Sequence, residues 1–233
     1  MLNHLESKHM SSLNRIRQAS GIEIVDEVQG EPGSSFSDLL PLNEFNEGWT
    51  DVTLDEQMLN EAIRIPGLAI NWHTNEPLPD FFGEYRIPDP FEILMQPPDP
   101  AADSIPAGFK REFVRQLRYI DSAYRSGVGS MTYLRMKPRT SPLEIWHYDL
   151  ARIGGGPYPI GYIKLDLTYH QYLETLVLTK GTRGWQYLFA DVSFRDLALG
   201  DIGDSVKKMT DVFPRLFPEH DYTSLQRRLE ERL

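Results

Sequence analysis

The chain has 233 residues, of which 40% are hydrophobic and 11% aromatic; it carries a formal net charge of −10 and no cysteine. That content supports a packed core and argues against disorder along most of the length, while the missing cysteines exclude disulfides and thiol chemistry. No apolar run is long enough to span a bilayer and no secretory h-region follows the N-terminus, so the sequence predicts a cytoplasmic protein with no membrane partner.

Residues 1–20 are polar, and the reading is a flexible leader, native or left by cloning ahead of Met10. Ile22, Ile24 and Val28 punctuate an acidic stretch that fits a short strand or helix. Gln29–Ser37 reads as loop. Thr53–Ile65 reads as a helix with Thr53 as cap, Glu56 three residues on and Pro66 as stop. Residues 66–106 are proline-rich, which permits only short elements; strands fit at Leu68–Trp72 and Phe91–Met95. Phe109, Phe113, Leu117, Ile120 and Tyr124 recur at helical spacing and predict one amphipathic helix over Phe109–Tyr124, ended by Gly127 and Gly129.

Ser130–Met136 and Leu143–Leu150 predict an antiparallel hairpin, with Ile160–Leu167 as a returning third strand. Tyr169–Lys180 predicts a helix with Gly181 as its stop. An aromatic segment, Gly184–Val192, follows. A helix opening at Asp204 or Ser205 and kinked near Pro214, and a last one capped by Thr223 and Gln226, complete the chain. Helices, then a meander, then helices is an α+β order, with a central antiparallel sheet flanked by helices. Residues 21–233 read as a single domain.

Charge is unevenly distributed. Residues 21–104 hold 18 acidic side chains against two basic ones, whereas residues 105–165 hold four acidic and ten basic. The two segments either neutralise one another across the fold or leave an acidic surface that steers a basic partner. A phosphate backbone would be repelled by the acidic third, so no nucleic-acid partner is expected.

Catalytic patterns are sparse. His147 and Asp149 share one strand face, as metal ligands or a base and its orienter would, with His170 the next candidate. A partly exposed polar face explains the pair equally well, and no bound metal is expected. Gly154–Gly156 lacks the lysine and the following hydroxyl of a phosphate cradle, and no G-x-S-x-G elbow is present. Carboxylate neighbours such as Asp26–Glu27 and Asp55–Glu56 are what 18 acids give by chance. The aromatic set Trp146, Tyr148, Trp185 and Tyr187 reads as core or as the rim of an interface.

The segments SPLEIWHYDL (Ser141–Leu150), YHQYLETLVLTKG (from Tyr169) and GWQYLFADV (to Val192) resemble the SUKH superfamily, which includes bacterial immunity proteins and a fungal regulator of cell-wall synthesis. The matched segments cover about a third of the residues, and the acidic first third has no counterpart in the pattern. The resemblance implies an α+β fold with a central antiparallel sheet, no catalytic residues and no cofactor. It also implies a protein that neutralises a cognate toxin domain, and it carries over Trp146, Tyr148, Trp185 and Tyr187 only as fold-defining aromatics. Combined with the charge, the expected partner is a basic toxin domain, met by acidic residues of the first third: Asp51, Asp55, Glu56, Glu76, Asp80 and Glu84. A regulatory scaffold in cell-wall or stress signalling is the alternative. An enzyme using His147, Asp149 and a carboxylate of the acidic third is the third reading.

Overall fold

Strands buried along most of their length build two antiparallel sheets, and helices close over them. The computed structural model describes residues 1–34, 41–150 and 153–233; the far end of the Gln29–Ser37 loop lies outside the described residues. The first sheet has the order β1 (Ile22–Val28), β2 (Leu68–Thr74) and β3 (Phe82–Ile87). The second is a meander of β4 (Leu117–Ser122), β5 (Met131–Arg135), β6 (Glu144–Tyr148) and β7 (Tyr162–Leu165). The fold class is α+β, and the hairpin and its third strand pair as the sequence predicts.

The sheets meet where β3 runs beside β4. Arg86 N donates to Asp121 Oδ1 at 3.1 Å, and Arg125 N donates to Glu84 Oε2 at 2.9 Å. Beyond that point the strands part, because the β4–β5 loop turns away over Glu84.

Residues 1–20 are not a flexible leader. His4–Gln18 is a helix, α1, opened by a capping box in which Glu6 N donates to Asn3 Oδ1 and Asn3 N to the Glu6 carboxylate. Leu5, Leu13 and Ile16 are wholly buried in the main core. Glu6 is also buried and holds Arg64 at 2.7 Å. His9 is sealed inside with Nε2 3.1 Å from Leu173 O, and burial pulls its pKa down to about 3, so the ring is neutral.

The first third is broken into short pieces: α2 (Leu42–Phe45), a single 3-10 turn at Glu47–Trp49, and α3 (Glu56–Glu61). Asp55, not Thr53, caps α3 by accepting from Met58 N at 2.8 Å. Phe91–Met95 is not a strand: Asp89 caps a helix, α4 (Pro90–Met95), with Pro90 in its first turn, where the missing N–H does no harm.

The predicted Phe109–Tyr124 helix is half right. α5 spans Phe109–Arg115 and stops at Gln116; the next six residues are β4. A bulge between Tyr119 and Asp121 breaks the alternation of that strand, so its buried residues fall at helix-like spacing. Tyr124 lies beyond the strand and donates to Asp26 Oδ2 at 2.9 Å.

The second half follows its patterns more closely. α6 (Tyr169–Thr179) is capped by Thr168 and Gln171. α7 (Gly200–Leu216) starts earlier than predicted and carries Pro214 in its last turn; α8 (Thr223–Glu230) follows, with no side-chain cap from Thr223. The main core joins α1, the inner faces of both sheets, α6 and α7. A second cluster lies on the other face of the β4–β7 sheet, around Phe113, Tyr133, Trp146 and Tyr162. Among the described residues no helix is long and apolar enough to cross a membrane.

Candidate functional site

The segment Lys180–Trp185 explains why two glycines stand three apart. After α6 the chain turns at Lys180 (φ 54°) and Gly181 (φ 71°) and lies along the free edge of β3. Glu84 N donates to Gly181 O at 3.0 Å and Arg183 N to Phe82 O at 3.1 Å. A Cβ on Gly181 would sit 2.7 Å from Glu84 O, and one on Gly184 would sit 2.0 Å from Ile202 Cγ2. The segment therefore plugs the gap between the sheets only with glycine at both places. Trp72 Nε1 fixes the turn by donating to Lys180 O at 2.8 Å. Lys180 itself is buried: Nζ donates to Val177 O at 2.7 Å, stands 3.3 Å from His220 Nε2 and lies over the Phe217 ring. Burial brings its pKa down to about 7.

Where the plug ends, a cleft of about 360 Å³ opens at the upper edge of the split. Ser130, His147, Asp149 and Arg183 supply its polar lining, and Val128, Leu150, Ala198 and Ile202 its apolar walls. His147 and Asp149, predicted to share a strand face, do point into one space, and Ser130 joins them. His170 does not: it stands 2.7 Å from Glu61 and 3.4 Å from Glu174 on the outside of α6. No group of three or more His, Asp or Glu that could hold a metal ion occurs among the described residues.

Behind His147 runs a buried polar chain. Tyr172 Oη lies 2.6 Å from Asp121 Oδ2 and 3.0 Å from Thr132 Oγ1, and Thr132 Oγ1 lies 3.0 Å from His147 Nδ1. Each hydroxyl has one proton to give. While Asp121 is ionised it takes the proton of Tyr172; Thr132 then donates to Tyr172, and His147 Nδ1–H donates to Thr132. That tautomer leaves Nε2 as a lone-pair acceptor. Burial pushes the Asp121 carboxyl up to about 7 and pulls His147 down to about 4, so the imidazole is neutral at physiological pH. Tyr187 donates to Asp149, and the burial that goes with this contact raises the phenol well above its ordinary range.

The six acidic residues expected to meet a partner do not form one patch. Glu84 is buried and is occupied by Arg125 N, Ser126 N, the Ser126 hydroxyl and Asn71 Nδ2. It organises the β4–β5 loop instead of facing solvent. Glu76 and Asp80 sit exposed in the β2–β3 turn. Asp51, Asp55 and Glu56 belong to a different segment, from just after the Glu47–Trp49 turn to the start of α3.

That segment belongs to a longer acidic strap. Leu42–Glu56 holds five carboxylates, Glu44, Glu47, Asp51, Asp55 and Glu56, and no lysine or arginine. Trp49 anchors it: the indole is buried with the Arg118 guanidinium 4.9 Å over its ring. Asp51 pairs with Arg139 at 2.8 Å. The basic middle also reaches Asp26 through Arg125 and Asp103 through Arg115. Both charge readings therefore hold in part. Some acids are neutralised across the fold, while Glu44, Glu47 and Glu56 stay exposed with no ion pair among the described residues.

The four signature aromatics divide. Trp185 and Tyr187 are main-core residues, with the Trp185 ring tilted against Tyr172 at 4.9 Å between centroids. Trp146 belongs to the second cluster, and Tyr148 packs at its margin, half-buried. Sequence reasoning missed Arg183 and Ser130 as cleft residues, since only the plug and the loop over Glu84 bring them beside His147. No protein-family profile matches the chain, and no curated protein or solved structure matches it at a significant level.

Proposed function

We propose that this protein is a non-catalytic binding protein, an immunity protein that neutralises a basic toxin domain in the cytoplasm through the Leu42–Glu56 strap. The observation that carries the reading is the strap itself: Glu44, Glu47 and Glu56 are exposed with no ion pair among the described residues, and Trp49 anchors the segment that carries them. A basic toxin surface meets complementary charge there, which speeds encounter and favours the right partner. The SUKH resemblance of the second half supports the same reading. Against hydrolysis stands the fate of Glu84: this acidic-third carboxylate, which borders the split between the sheets, is taken up by backbone amides and a hydroxyl.

The test is co-expression with each toxic open reading frame encoded beside the gene. Protection should be lost or sharply reduced when Glu44, Glu47 and Glu56 are changed to lysine together. Association of the purified pair should slow as salt is raised. If toxicity is the same with and without the wild-type protein, the immunity reading fails; a regulatory scaffold would leave the neighbouring toxin unaffected in this way.

A further inference from the structure

A groove of about 320 Å³ lies on the outer face of β4 and β5, lined by no residue of the acidic strap. Its floor is a cross-strand pair: Tyr119 stands directly opposite Tyr133 in the register, and Leu117 and Met131 add apolar surface. The segment from Gln96 to Pro100 makes the other wall. The Gln96 amide pins that wall to β4, donating to Tyr119 O at 2.9 Å and accepting from Tyr119 N at 2.7 Å. Pro97 and Pro100 stiffen it. Two carboxylates attend the two tyrosines. Tyr119 Oη donates to Glu92 Oε1 at 2.6 Å. Asp99 lies by the Tyr133 phenol, with Oδ1 held by Ala101 N at 2.8 Å. Neither carboxylate has an ion pair among the described residues, and no described lysine, arginine or histidine lines the groove.

We propose that this groove binds a small, free quaternary ammonium ion of the choline type. A cation set against tyrosine rings is held by their quadrupoles. A carboxylate hydrogen-bonded to the phenol polarises the ring further toward negative charge. Asp99 and Glu92 supply the net negative charge that the ligand answers. The largely apolar lining then selects among cations. A primary ammonium brings three N–H donors, each of which loses water and finds few acceptors here. Methyl groups around a quaternary nitrogen need no acceptor and pack against Leu117, Met131 and the prolines. A phosphate attached to the same ligand would be brought toward Glu92 and Asp99, so the free ion is preferred to phosphocholine or a lipid head group. The volume is at the small end of the range for organic ligands, which suits such an ion.

Isothermal titration of the full chain with choline and with tetramethylammonium tests this. At least one should bind with one-to-one stoichiometry, and its binding should shift the NMR resonances of Tyr119 and Tyr133. The neutral carbon isostere of choline, ethanolamine, guanidinium and phosphocholine should each bind at least tenfold more weakly. These comparisons need no variant, so misfolding cannot mimic them. Tyr119→Leu should weaken binding at least tenfold and Asp99→Asn at least threefold, with circular dichroism spectra unchanged from wild type; the asparagine keeps an oxygen for Ala101 N. No binding at millimolar concentration overturns the proposal. So does equal binding of the neutral isostere, of ethanolamine, of guanidinium or of phosphocholine, or undiminished binding by a folded Asp99→Asn protein.

Discussion

The two sheets of this molecule are finished differently. The β1–β3 sheet is exposed chiefly at its edge strand β1, where Glu23 stands opposite His73, while Asn71 and Glu84 further along the register are buried. The β4–β7 sheet is covered on both faces. Its outer side carries Tyr133, Trp146 and Tyr162, roofed by Phe113 and Tyr158, with Phe113 4.7 Å and Tyr158 4.4 Å from the Trp146 ring. A sheet with one exposed edge strand shows water its polar margin. A sheet with two dry faces serves as a rigid frame, and the split between the two leaves the cleft.

The sharpest way to break that comparison is to hollow each core in turn. Trp185→Ala, deep in the main core, should cost ~5 kcal/mol in urea unfolding. Trp146→Ala, in the smaller outer cluster, should cost ~3 kcal/mol, because half-buried Tyr148 and Tyr158 can settle into the space. Equal losses would mean that the outer cluster is as fully part of the core as the inner one.

The plug comes next. Gly181→Ala should destabilise by ~3 kcal/mol, since it adds a backbone clash with Glu84 to the strain of a positive φ. Gly127→Ala has the same φ of 71° but nothing within 4 Å, and should cost only ~1 kcal/mol. The difference between the two isolates the close approach of the plug to β3.

Buried Lys180 provides a pH test. Its pKa is about 7 in the folded chain and near 10.5 when unfolded, so between those values the unfolded chain binds the extra proton. Stability should therefore rise with pH from 7 to 9.5 with a slope approaching ~1.4 kcal/mol per unit, and this gain is lost as pH falls back through 7. Lys180→Met should flatten the slope over that window in denaturation curves. The smallest effect belongs to the wet surface: Asp51→Asn removes an exposed pair with Arg139 and should change stability by no more than ~0.5 kcal/mol.

Much of the second half could be read from its residues, because local pattern and tertiary role agree there. The apolar positions of α6 keep one period, and the glycine after it marks a real turn. The first half was harder. α1 reads as a loose leader because polar residues dominate positions 1–20, although Asn3 and Glu6 form a capping signature and Leu5, Leu13 and Ile16 share a stripe. β4 imitated a helix because a bulge shifted its period. β3 is hard to read because Gly83 looks like a turn signal, whereas it stands opposite Trp72 on the neighbouring strand and leaves room for the indole. The charge of the acidic third showed that a surface existed but not which acids form it, since Glu84 and Glu44 look alike until the fold buries one of them.

The contact between Glu6 and Arg64 has a practical consequence for anyone preparing this protein. A version begun at Met10 would remove Leu5 from the interior and strand the Arg64 guanidinium beside an empty hollow. Losing the wholly buried Leu5 side chain alone costs about 2–5 kcal/mol. Purification handles therefore belong at the other terminus, and poor yields from trimmed clones should be blamed on the trimming before the host.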